Sequence, residues 1–165
     1  MKISTKGRYA LRMMLDIAAH QGDGYVTLRD IAERQAVSKK YLEQIALQLT
    51  QAGMLRAMRG QLGGYRLAKA PSEYTVLSLL EVMEGSLAPV TCLEQSPNAC
   101  ERCGDCPTLP VWQGLHDVIC TYLSGITLET LLRQSENSGV ERYRSPVSGS
   151  RTTIILPRFS GRLAS

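Results

Sequence analysis

Thr27-Leu-Arg-Asp-Ile-Ala-Glu-Arg-Gln-Ala-Val-Ser38-Lys-Lys-Tyr-Leu-Glu-Gln-Ile-Ala-Leu-Gln-Leu49 is the stretch that decides the fold class. Thr27 is a helix-start residue with Asp30 three positions on, the pattern of a capping box, and Leu28, Ile31 and Ala32 recur on one helical face. Gln35-Ala36-Val37 reads as a turn, and Ser38 can cap a second helix. In that helix Leu42, Ile45, Ala46 and Leu49 point to a core, leaving Lys39, Lys40, Glu43, Gln44 and Gln48 outside. Two short helices joined by a tight turn, with the second polar on its outer face, form the pattern of a helix-turn-helix.

The flanks extend it. Upstream, Ser4 or Thr5 can cap a helix through about His20, with Ala10, Met13, Met14, Ile17 and Ala18 on its apolar face. Downstream, Gly53 suits the position after a helix end, and Leu55 to Leu67 reads as two short strands joined by the tip Arg59-Gly60 to Gly63-Gly64. A β-wing after a helix-turn-helix makes a winged helix. Pro71 breaks the chain, and Thr75 caps a helix carrying Val76, Leu79, Leu80 and Met83 to Gly85. A longer amphipathic helix is expected from Thr108 to Leu123, with Trp112, Leu115, Ile119, Tyr122 and Leu123 on a stripe suited to a second copy of the chain. A short helix from Thr127 to about Gln134 follows. Beyond Ser135 the composition turns to Ser, Gly, Pro and Arg with little periodicity, which predicts a disordered tail.

The net charge of +4 conceals a segregation. Residues 1–75 hold twelve Lys/Arg against six Asp/Glu, and residues 76–141 hold two against nine. Residues 142–165 add five Arg and no acid. A polyanion would therefore meet the N-terminal part. No apolar run approaches the 18 residues or so of a membrane span, and residues 1–30 lack the pattern of a signal peptide, so a cytoplasmic location is expected. No acid/base or nucleophile constellation marks an enzyme.

Four of the five cysteines lie in Cys92-Leu-Glu-Gln-Ser-Pro-Asn-Ala-Cys100-Glu-Arg-Cys103-Gly-Asp-Cys106-Pro. Cys100, Cys103 and Cys106 repeat every third residue, matching the start of the bacterial iron–sulfur run without its fourth cysteine, which Cys92 could replace. The alternatives are structural zinc, which more often uses two separated Cys-x-x-Cys knuckles, and disulfides, which belong to oxidising compartments.

The opening Met1-Lys-Ile-Ser-Thr-Lys-Gly-Arg-Tyr-Ala10, Tyr41-Leu-Glu-Gln44 and the wing Arg59-Gly60 to Gly63-Gly64-Tyr65 resemble the iron–sulfur cluster regulator (IscR) family of winged-helix repressors and its cluster-free CymR relatives. The resemblance runs from Met1 to about Gln134. It implies that Cys92, Cys100 and Cys106 are cluster ligands, while the family's histidine ligand falls on Leu109, which cannot bind iron. Cys103 is then the replacement, with His116 the weaker one. The spacing suits a cubane [4Fe–4S] cluster, but the resemblance favours [2Fe–2S].

The expected fold is mostly α: a winged helix-turn-helix with a small β-wing, a cluster-binding loop and a long dimerisation helix. Residues 1–75 would bind DNA, 76–134 would hold the cluster and the dimer helices, and 135–165 would be the tail. The partners expected are double-stranded DNA with a palindromic operator and a second copy of the chain. Thr5, Lys6, Arg8, Lys39 and Lys40 would neutralise phosphates. Ser38, Glu43 and Gln44 would face base edges, with Tyr41 and Gly60 beside them by resemblance, and Arg59 would enter the minor groove.

Overall fold

A computed structural model describes residues 2–60, 63–95, 98 and 100–137. Helix α1 spans Thr5–His20, and Ser4 is its cap, accepting from the Gly7 amide at 3.1 Å. Ala10, Met13, Met14 and Ile17 are buried on it. Helix α2 (Leu28–Gln35) is capped by Thr27, whose hydroxyl accepts from the Asp30 amide at 3.2 Å. Ala36 then takes a left-handed conformation, φ 52° and ψ 47°. That conformation costs a residue with a Cβ roughly 1–2 kcal/mol. It holds because the turn is tied on both sides: Val37 donates to the Ala32 carbonyl at 3.1 Å, and Ser38 caps helix α3 (Lys39–Gln51) through the Tyr41 amide at 3.3 Å.

Leu42, Ile45, Ala46 and Leu49 of α3 are buried as expected, and Lys39, Lys40, Glu43 and Gln44 are exposed. Gln48 departs from its expected outside position. It is half-buried, and its Oε1 is enclosed without a partner among the described residues.

Strands β1 (Leu55–Met58) and β2 (Gly64–Leu67) pair antiparallel, Leu55 opposite Leu67 and Met58 opposite Gly64. Tyr65 also exchanges backbone bonds with Val26 at 2.8 and 2.9 Å, so the wing is fastened to the segment before α2. Gly64 is needed there, because a Cβ would run into the Val26 carbonyl. Gln61 and Leu62 of the wing tip lie outside the described residues.

The chain returns through Tyr74, whose hydroxyl donates to the Met54 carbonyl at 2.9 Å and accepts from the Lys69 amide at 2.8 Å. Helix α4 spans Val76–Glu84, α5 Leu109–Ser124 and α6 Leu128–Asn137. The main core crosses residue 75: Leu79 and Met83 of α4 and Leu128 of α6 join the cluster built by α1 and α3. A second cluster of Val76, Leu80 and Leu87 receives Ile3, Leu11, Leu123, Ile126 and Leu131. Burying one such side chain is worth roughly 1.5–3 kcal/mol, so the C-terminal helices are part of what holds the winged helix together. The tail expected to be disordered falls, after Asn137, outside the described residues.

The stripe expected on α5 divides in two. Ile119 and Leu123 are half-buried toward the rest of the chain, while Trp112, Leu115 and Tyr122 are exposed together with Val111 (63%) and Val118 (66%).

Candidate nucleic-acid interface and thiol loop

The DNA-facing residues expected from sequence fall on three neighbouring features. Thr5 and Arg8 are exposed on the first turns of α1, with Lys6 half-buried between them, and Arg8 Nη2 donates to the Thr5 hydroxyl at 3.2 Å. Ser38, Lys39, Lys40, Glu43 and Gln44 are exposed at the start of α3, and Tyr41 is half-buried. Arg59 and Gly60 are exposed at the wing tip.

Tyr41 is fixed by packing: its ring meets Tyr9 edge to face, centroids 5.9 Å apart, and Arg12 lies over the other ring at 5.1 Å. Arg12 also donates to Gln35 at 2.9 Å through its side chain and 3.2 Å through its backbone carbonyl. Thr5, Arg8, Tyr9 and Arg12 line one small cationic cleft. Arg12 was missed in the sequence, although it sits one turn after Arg8, a spacing that could have found it.

Glu43 is not a lone acid in this basic surface, since Lys39 Nζ lies 3.8 Å from its Oε1. A groove of about 620 Å³ runs between α3 and the wing. Lys39, Glu43, Leu47, Met58, Arg59 and Tyr65 are among the residues lining it. Leu47 is 58% exposed there, a leucine that helical periodicity places on the outer face between Glu43 and Lys40.

Behind this surface, the Asp16 side chain is 1% exposed and receives Arg34 Nη2 at 2.6 Å and Nε at 3.1 Å, with Gln35 Nε2 at 2.8 Å. Burial raises the Asp16 pKa, but the hydrogen bonds from Arg34 and Gln35 and the charges of Arg34 and His20 together outweigh it. The carboxyl is held below its ordinary value. This bridge sets α2 against α1.

All four loop cysteines are free thiols. Cys92 and Cys100 line one pocket of about 270 Å³ with Thr91 and Gln95. Cys100 and Cys103 share a backbone turn (3.0 Å) and Cys106 closes another onto Leu109 (3.3 Å). Cys103 is exposed. Cys106 shares a hydrogen bond with the Thr108 hydroxyl at 3.4 Å, which, with backbone donors, holds its thiol below the ordinary value. Among the described residues no three His, Cys, Asp or Glu side chains already stand together as a metal cage. The structure therefore joins Cys92 to Cys100 but does not bring all four thiols to one centre. His116 stands against Cys120, ring nitrogens 3.7 and 3.9 Å from its sulfur. Burial, with the charges of Glu81 and Asp117, pushes the Cys120 thiol up.

A helix-turn-helix, a two-stranded wing and a cationic outer face define a winged-helix transcriptional regulator. Comparison with known proteins narrows this: the chain belongs to the Rrf2 family, described as "Iron-dependent Transcriptional regulator", whose model matches residues 3–134. It is 36% identical over 160 residues to the HTH-type transcriptional regulator IscR of Photorhabdus laumondii, covering 93% of this chain and 96% of that one. Among solved structures it is similar to T. potens IscR (TM-score 0.68, 36% identity, 87% of this chain and 94% of that one). It is also similar to CymR, the global cysteine regulator of B. subtilis (TM-score 0.67, 35% identity, 81% and 98%).

Proposed function

We propose that the chain is a homodimeric regulator that binds a palindromic operator in double-stranded DNA and reports iron–sulfur or redox status through a cluster held by Cys92, Cys100, Cys103 and Cys106. The observation that carries this is the loop's chemistry: soft thiol donors, two of them facing one pocket and a third biased toward thiolate by Thr108. Asn98 adds to the fit. Its Oδ1 accepts from the Cys100 amide at 2.9 Å, while its Nδ2 is enclosed with no partner among the described residues, a spare donor of the kind that thiolate and sulfide accept. Such a centre, when bound, would supply a redox- and iron-dependent tie across the loop. The division of labour follows the chain, with residues 1–75 reading DNA and 76–134 sensing and pairing.

Anaerobic purification with iron and sulfide assays and a visible spectrum tests the reading: a colourless protein without sulfide overturns it. Cys103→Ser is the sharper variant, because Leu109 offers no donor where the resembling family has histidine. This variant is expected to lose most of the iron or shift the spectrum strongly, whereas His116→Ala, whose ring is engaged with Cys120, should keep both. A Cys103→Ser protein with wild-type iron content would exclude Cys103 as a ligand.

The DNA half is tested by salt. If each subunit neutralises three or four phosphates through Thr5, Lys6, Arg8, Lys39 and Lys40, log affinity should fall against log salt with a slope of about −5 to −7 for the dimer. A slope near zero would rule out a phosphate-facing surface. The likeness to CymR favours a second reading, a regulator answering to a protein partner or metabolite; a zinc-stabilised transcription factor is the other alternative to an iron–sulfur centre. Metal analysis of the purified protein separates the two.

A further inference from the structure

We propose that Glu84 is a positioning residue for DNA binding: from the last position of α4 it holds the first turn of α1 in the orientation that presents Thr5, Lys6 and Arg8 to phosphate. This role rests on the reading of those residues as phosphate contacts. Glu84 Oε1 accepts from both the backbone amide of Ser4 (3.0 Å) and its hydroxyl (2.7 Å), across 80 residues of sequence. The same Ser4 hydroxyl accepts from the Gly7 amide (3.1 Å), and the Ser4 carbonyl accepts from Arg8 (3.2 Å). One carboxylate oxygen thus fixes the cap that orders residues 4 to 8. A charge-assisted bond of this length is about twice as strong as a neutral one.

The packing is built around that oxygen. Gly7 is buried, and a Cβ at position 7 would collide with Glu84 Oε1 and press on Leu80 at 3.1 Å. Glycine is a poor helix former. Its presence in the first turn of α1 is accounted for by the space the carboxylate occupies. Glu84 is also the last α4 residue before Gly85, after which the chain passes the buried Leu87 and Ala88 on its way to Cys92.

The sign of one measurement separates positioning from simple charge. Glu84 places a negative charge beside a turn meant to meet phosphate, so on charge alone Glu84→Ala and Glu84→Gln should both tighten binding. Positioning predicts the opposite for alanine: a cap that must reorder on binding costs roughly one residue of backbone entropy, or about tenfold in affinity. Glutamine keeps an oxygen in the same place and should restore it. The probe is a mixed-sequence duplex of about 30 base pairs, because phosphate contacts do not depend on sequence.

Amide exchange in the iron-free protein gives an independent readout, with Gly7 and Arg8 expected to exchange about tenfold faster in Glu84→Ala and to return to within about threefold of wild type in Glu84→Gln, whose neutral oxygen keeps the weaker bond. Gly7→Ala should weaken binding alone but add little to Glu84→Ala, since both break one contact. Wild-type affinity in Glu84→Ala, tighter binding, or failure of glutamine to restore either readout overturns the proposal. A wild-type chain that does not bind the duplex sinks the phosphate-contact reading, and this role with it. A wild type that binds beside an indifferent Glu84→Ala sinks this role alone.

Discussion

Arg34→Met is expected to destabilise the chain by about 2–3 kcal/mol at neutral pH, less than the roughly 3–5 kcal/mol of a wholly buried ion pair, because the Arg34 side chain is 34% exposed. The magnitude follows from what is left behind. The Asp16 side chain is 1% exposed, and without Arg34 it keeps, among the described residues, Gln35 (2.8 Å) and the half-exposed His20 (3.6 Å). The buried carboxylate then bears its desolvation with little return. Converting both partners, Asp16→Leu with Arg34→Met, should recover most of the loss, because an apolar pair of similar volume replaces a buried ion pair at little or no cost. Urea titration of wild type, Arg34→Met, Asp16→Leu and the double variant closes the cycle and measures the coupling directly.

The pH dependence has opposite sign in the two proteins. In the wild type the Asp16 pKa lies below its unfolded value of roughly 3.9. Its stabilisation is therefore complete above that value and lost as pH falls through the folded one. In Arg34→Met the burial that raises the pKa is no longer outweighed, so protonation relieves the strain. The stability gap to wild type should narrow as pH drops from 7 toward 4. A gap that stays constant over that range would show that Asp16 is not stranded as an anion.

This ion pair also shows where sequence reasoning stops. The helix starts were legible because a cap is a local device: Ser4, Thr27, Ser38 and Thr75 each accept from an amide three residues on. The HTH core was legible because its period is that of the helix. Asp16 breaks the period of α1, and its partner lies 18 residues away on another helix, at a distance no local pattern encodes. Glu84 and Ser4, 80 residues apart, are the same case. Gln48 was placed outside by its polarity, yet packing encloses its oxygen. The thiol loop was legible as chemistry, since four cysteines in fifteen residues need no fold to be noticed, but not as geometry, since Cys92 and Cys100 share a pocket while no three metal-ligating side chains stand together among the described residues.

The helix α5 shows a finer limit, and carries the last prediction. A single stripe was read from Trp112 to Leu123, but apolar residues wrap more of this helix than one stripe, and α4 covers only one side. The side left open carries Val111, Leu115, Val118 and Tyr122, spaced four, three and four residues apart, with Trp112 at its margin. That spacing is the one coiled-coil seams use, and it suits the proposed pairing, in which a two-fold axis would let the face cover itself with its own copy. No α5 residue is fully buried within the chain, so a charge on this seam should leave the protomer folded while opening the pair. Val118→Glu is accordingly expected to sediment as a monomer with an unchanged circular dichroism spectrum. Its affinity for a two-half-site operator should fall by about 10²–10⁴, the advantage that joining two binding modules confers. Thr121→Glu, exposed on another side of the same helix, controls for charge and should remain dimeric with wild-type affinity. A dimeric Val118→Glu protein would remove α5 as the pairing surface.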